Sequence, residues 1–171
     1  MIKPKRNKPY KARAIMIPSI IPIVTASQKY PGLALFLHGG LVAFINEPTV
    51  ASANALSKQL CLIAGAMSHA AGGVPILGRT DTASIAIYSA IRAFECVVAR
   101  HDATEIVAVS ISEAKTLIAA SGALDDVLRS VPAACYDRAM KELDVVFEVR
   151  QRERMEWAKY QRNQQSQVAI A

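Results

Sequence analysis

Apolar residues recur at helical spacing through most of the chain. Leu56, Leu60, Ile63 and Met67 fall at i, i+4, i+7 and i+11, one face of a helix. This predicts a helix from about Pro48 to about Ala71, with Pro48 in its first turn and Gly72-Gly73 as its stop. Ile87, Ile91, Phe94 and Val98 repeat the spacing, with Tyr88 and Val97 widening the stripe and Arg92, Glu95 and Arg100 facing out. That helix should run from a cap at Thr80 or Asp81 to about Arg100. Leu117, Leu124, Leu128 and Val131 mark a fourth stripe, capped by Ser110 or Ser112, with Glu113 favourable to the helix dipole. Tyr136, Met140, Leu143 and Phe147 mark a fifth, starting at Pro132 and reaching Tyr160 or beyond.

Three segments break this pattern. Leu33–Ile45 predicts a short helix interrupted near Gly39-Gly40. Glu105–Ile111 is rich in Ile and Val but alternates poorly, which leaves a short strand open. Residues 1–31 hold Pro4, Pro9, Pro18, Pro22 and Pro31, so this stretch should be extended. Its second half, with Ile15, Ile17, Ile20, Ile21 and Ile23, is too apolar for water and should lie on the body as a strap. The expected fold is all-α: a compact bundle of four to five helices with an extended basic N-terminal arm and a projecting basic C-terminal helix. The expected divisions are an arm and strap at 1–31, a helical domain at 32–162 and a frayed tail at 163–171.

Composition fits one globular domain. The 171 residues are 52% hydrophobic and 20% charged, which excludes global disorder. The charge is more informative in its placement than in its net value of +6. Residues 1–13 carry six basic residues, Lys3, Lys5, Arg6, Lys8, Lys11 and Arg13, and no acid. Residues 150–162 carry five, Arg150, Arg152, Arg154, Lys159 and Arg162, against two acids. The segment between them holds 9 basic and 12 acidic residues, so the body is slightly acidic and the ends are basic. Such ends suit a polyanion. The prolines keep the arm extended, and Tyr10 offers a ring that can stack on a base. Lys3, Lys5, Arg6, Lys8, Tyr10, Lys11, Arg13, Arg150, Arg152 and Arg154 are therefore the candidate nucleic-acid contacts. No helix-turn-helix spacing supports sequence-specific reading, so the contact expected is non-specific or RNA-linked.

Lys5-Arg6-Asn7-Lys8-Pro9-Tyr10-Lys11-Ala12-Arg13, followed by amphipathic helices, resembles small helical proteins of unknown function from bacterial prophages and mobile elements. These open with a basic Lys-x-Tyr-x-x-Arg/Lys arm. The specific part of the resemblance covers about nine residues, and the proline-rich strap departs from it. The resemblance implies a bacterial cytoplasm and a phage-type genetic context, and it transfers no catalytic residue. The expected function is contact with nucleic acid or with a host protein, including antagonism of a host defence complex such as a CRISPR effector. The alternative is a homo-oligomeric virion or packaging component assembled through the apolar strap.

Signals for other chemistry are weaker. Leu35-Phe36-Leu37-His38-Gly39-Gly40 looks like the oxyanion loop of lipase-like hydrolases, but no G-x-S-x-G follows, and Ser68 lacks flanking glycines. Ser112-Glu113-Ala114-Lys115 and Ser52-Ala53-Asn54 match acyl-enzyme motifs in reversed order, without K-T-G. His38, His69 and His101 lie about 30 residues apart, and Cys61, Cys96 and Cys135 are spaced by 35 and 39. Neither spacing is that of a metal site, and the thiols read as buried core residues. No enzyme activity, metal or cofactor is expected. A basic stretch, the apolar run Ala14–Val24 and Val24-Thr25-Ala26 outline a secretion signal, which Pro18 and Pro22 disfavour. Leu33–Ile45, at 13 residues, is too short to span a bilayer. No membrane contact is expected.

Overall fold

The computed structural model describes residues 23–168. Six helices follow one another: α1 (Ala26–Lys29), α2 (Leu33–Asn46), α3 (Val50–Ala70), α4 (Thr82–Thr104), α5 (Ile111–Ser130) and α6 (Ala133–Val168). The all-α bundle expected from the apolar stripes is the observed fold. The most extensive pairings are α4 with α5 and α3 with α6, while α2 packs on both α3 and α5.

The stripes of α3 and α5 bury as their spacing predicts, while that of α6 buries only Tyr136. Leu56, Leu60, Ile63 and Met67 of α3 are all buried, as are Leu117, Leu124, Leu128 and Val131. In α4 the buried line runs through Ile87, Ala90, Phe94 and Val97, and Val98 turns outward. The rings of Phe44 and Phe94 meet edge to face at 5.6 Å between centroids, which fixes the middle of the core.

The helix ends explain where each element stops. Thr49 caps α3 in a capping box with Ser52, so the helix begins after Pro48. Gly72 and Gly73, at φ 70° and 92°, end it, and the Gly73 amide donates to the Ser68 carbonyl at 2.9 Å. Asp81 caps α4 by accepting from the Ser84 amide at 2.9 Å. That backbone bond, with the Ser84 hydroxyl and Arg79, holds the Asp81 carboxyl below its ordinary value.

The Ile/Val-rich stretch before α5 is not a strand. Arg100 reaches across it, donating to the Ala108 carbonyl and to Glu113 Oε1. Glu113 also accepts from the Ser110 amide at 2.7 Å. Burial alone would raise the Glu113 carboxyl; the Arg100 guanidinium and Ser110 outweigh it and hold the group below its ordinary value. Held side-on by one arginine, the segment has no neighbouring strand to pair with among the described residues. The sole bridge there is Thr25 with Pro132.

Four expectations need correction. Residues up to Pro31 are not wholly extended, because Thr25 and Gln28 form a capping box and Ala26–Lys29 makes one helical turn. α2 is not broken at Gly39-Gly40 but continuous. The cysteines are not core residues: Cys61 and Cys96 are exposed and Cys135 is half-buried. Cys61 and Cys96 occupy the outer faces of their helices, Cys61 between the buried Leu60 and Leu62, while Cys135 packs at the edge of the core. The last helix reaches beyond Tyr160 as expected, but the stretch expected as a tail from Asn163 is still helical as far as Val168. Residues 1–22, and with them the arm and most of the strap, lie outside the described residues.

Gly40 has a specific tertiary reason. A Cβ there would meet Gln59 Oε1 at 2.2 Å. Gln59 is buried and donates to the Phe36 carbonyl at 3.0 Å, so it cannot withdraw without losing that bond. Gly39, one residue earlier, faces open space. Gly39→Ala should raise unfolding free energy by about 0.5–1 kcal/mol through helix propensity. Gly40→Ala should lower it by about 1 kcal/mol, the lost buried bond outweighing the same propensity gain. Urea denaturation of the two variants checks the opposite signs.

Candidate functional site

α3 and α6 pack closely, and three contacts tie them together. A Cβ on Gly65 would meet Ala139 Cβ at 3.2 Å, and Lys58 Nζ lies 4.5 Å from the centre of the Phe147 ring. His69 Nε2 reaches Glu142 Oε2 at 2.9 Å. With 21 residues in α3 and 36 in α6, the helices measure about 32 and 54 Å. α6 is therefore longer than α3 by about 22 Å. The remainder of α6 extends past the end of α3, as the sequence predicts for a projecting helix.

Of the ten candidate contacts, Lys3, Lys5, Arg6, Lys8, Tyr10, Lys11 and Arg13 lie outside the described residues. The side chains of Arg150 and Arg154 lie outside them too, although their backbone belongs to α6. Arg152 is exposed and sits 3.7 Å from Glu148, one turn earlier. Several charges of the body behind it are paired. Lys29 meets Asp137 at 2.7 Å, Arg79 meets Asp81 at 3.0 Å, Arg100 meets Glu113, and Arg92 meets Glu95.

A groove opens between α3 and α6, beside the start of α2. One part, about 590 Å³, is bordered by Lys29, Tyr30 and Asp137 and floored by Tyr136 and Leu62. The next, about 370 Å³, continues past Leu143 and Phe147 to Asp144 and Glu148. Phe36, Leu62 and Met140 line both. Met140 was expected in the core with Tyr136 but is 45% exposed here. Tyr136 is buried, and its hydroxyl has no hydrogen-bond partner among the described residues. Burial pushes that hydroxyl well above its ordinary pKa. At the rim, Asp137 accepts from Lys29 and from the Tyr30 hydroxyl. Those two bonds hold the Asp137 carboxyl below its ordinary value.

α2 presents a second feature, invisible as a stripe because nearly every position is apolar. It buries Leu37, Leu41 and Phe44. Its opposite side exposes Leu35 by 78%, Phe36 by 59% and Val42 by 53%, with Gly39 between them. The helix contains no Lys, Arg, Asp or Glu. A helix apolar all round normally has neighbours on both sides.

The hydrolase-like motif resolves differently. Gly39 and Gly40 lie inside α2, where amide protons belong to the helix ladder, so they are no oxyanion loop. His38 instead joins α2 to α5. Its Nδ1 lies 2.8 Å from Ser121 Oγ and its Nε2 lies 3.0 Å from Asp125 Oδ1. The carboxylate can only accept, so a neutral His38 carries its proton on Nε2 and accepts from Ser121. The His38 bond lowers the Asp125 carboxyl below its ordinary value. This hydroxyl–imidazole–carboxylate order is that of a serine triad. Yet Ser121 sits in the interior of α5, whose amides are taken by helix bonds, so no backbone donor faces a developing oxyanion. The arrangement clamps two helices.

The other motif serines are structural. Ser52 Oγ donates to the Glu47 carbonyl at 3.0 Å, and Ser112 Oγ lies 3.1 Å from the capping Ser110 Oγ. His69 pairs with Glu142, and His101 is in the last turn of α4. Among the described residues no three His, Cys, Asp or Glu side chains gather as metal ligands. α4 is long and apolar enough to cross a membrane by length and composition, and it packs within the bundle on α5.

A clamp and a catalytic triad make different predictions. His38→Ala and Ser121→Ala should each lower stability, by about 1–2 kcal/mol for the histidine. Neither should change the rate at which the protein hydrolyses a nitrophenyl ester; a rate lost on Ser121→Ala would establish a nucleophile. No protein-family model, curated protein or solved structure matches this chain.

Proposed function

We propose that the chain is a non-enzymatic binding protein that contacts nucleic acid through its two basic ends, in a phage or mobile-element setting. The observation that carries this reading is the segregation of charge. Five of the nine Lys and Arg residues of the body pair with its own carboxylates, while the basic excess lies in residues 1–13 and 150–162, the latter on α6. Cations concentrated at two ends of a chain bind phosphates by releasing condensed counterions, without reading sequence. The resemblance of Lys5–Arg13 to prophage protein arms supports the setting, and in that setting a host protein complex is the competing partner.

The test is the salt dependence of binding to a labelled single-stranded oligonucleotide. Replacing Lys3, Lys5, Arg6, Lys8, Lys11 and Arg13 by alanine should weaken binding and reduce the slope of log K against log salt by about four. Binding that is unchanged in that variant would contradict the reading.

A second reading, a homo-oligomeric assembly component, is favoured by the bare apolar face of α2. The partner surface would then be the same face of a second copy. Sedimentation of the full chain should give a concentration-dependent dimer, and Leu35→Glu should return it to monomer. A monomer at all concentrations removes this reading.

A further inference from the structure

We propose that the groove between α3 and α6 is the seat of the chain's own residues 14–22, which lie in it as an extended strap running along α6. The proposal is independent of what the basic ends bind. Four observations converge on this occupant.

The first is where the described chain begins. The Ala133 amide donates to the Val24 carbonyl at 2.9 Å, and Thr25 bridges Pro132 in antiparallel sense. That pairing directs the preceding residues toward the first turn of α6, at the mouth of the groove. Ile23 is 73% exposed there, an apolar side chain at the start of a path that continues.

The second is length. The groove follows α6 from Tyr136 to Glu148, about 18 Å of helix, so a strap seated in it runs the whole groove and on past its far end. Nine residues in polyproline geometry span about 28 Å. Pro18 and Pro22 favour that geometry, and each extended residue passes about two helix residues. Counted from Val24 opposite Ala133, Ile21 and Ile20 fall near Met140, and Ile17 and Met16 near Phe147.

The third is chemistry. Residues 14–22 contain no charged group, matching walls of Phe36, Leu62, Met140 and Phe147. The prolines lack N–H groups, so the strap places few unpaired donors in an apolar groove but offers carbonyl acceptors. The Tyr136 hydroxyl, buried and without an acceptor among the described residues, supplies the complementary donor.

The fourth is charge. By the same count the strap passes Asp144 and Glu148 and overruns the groove, so that Arg13 and Lys11 follow it toward the far half of α6. Lys58 borders the same end but is engaged on the Phe147 ring. The arm thereby emerges alongside the basic segment 150–162, so the two basic ends form one surface.

The experiment uses the full-length protein with a photoreactive benzophenone amino acid at position 17 or 20. After irradiation, adducts are mapped by mass spectrometry. Position 20 should join peptides holding Met140, and position 17 those holding Phe147, within one chain. Met140→Glu should cut these yields at least about fivefold; residue 140 is half-exposed, and helical content measured by circular dichroism verifies that the bundle persists. Adducts between two chains would assign the groove to a second copy. Adducts to α4 or α5, or none, would overturn the proposal.

Discussion

The close approach of α3 and α6 is the constraint on which the rest of the molecule depends. Gly65 and Ala139 let the two helices meet with almost no side chain between them. A larger residue at either point would separate the helices, widen the groove and release the pairing of His69 with Glu142. This contact fixes the direction of α6, and α6 in turn carries a basic segment past the end of the bundle. The function proposed for the ends thus rests on a small-residue contact in the body.

The two sides of α2 give the fold its other tension. One side supplies Leu37, Leu41 and Phe44 to the core; the other leaves Leu35, Phe36 and Val42 in water. Burial of that outer side would be worth several kcal/mol at the usual ~25 cal/mol per Å². Phe36 belongs both to this face and to the groove, so a strap in the groove would cover part of the exposed apolar surface from within the same chain.

What the sequence made legible follows from the range of the interactions. The stripes of α3 and α5 were readable because a helix buries one face whatever its neighbour. Caps at Thr49, Asp81 and Ser110 are local bonds, and two of the three were named from sequence. The continuity of α2 was not readable. Gly40 looks like a break locally, but it accommodates Gln59, 19 positions away in the chain. The loop before α5 reads as a strand until Arg100 is seen to claim Ala108. The clamp of His38, Ser121 and Asp125 joins positions more than 80 residues apart and has no sequence signature. The cysteines misled because an apolar neighbourhood in sequence includes the outer face of the same helix. The candidate nucleic-acid residues are legible as charge alone, because charge acts by position on the chain and needs no fold to be counted.

On the proposal made above, a slightly acidic body holds the two basic ends together as one surface. The most direct measurement is the distance between spin labels placed by orthogonal chemistry at positions 13 and 152 of the full chain. The account predicts a narrow distribution within about 20 Å, as for neighbouring packed elements with labels attached. A broad distribution centred well beyond that would show that the arm leaves the bundle away from α6, and would contradict the account.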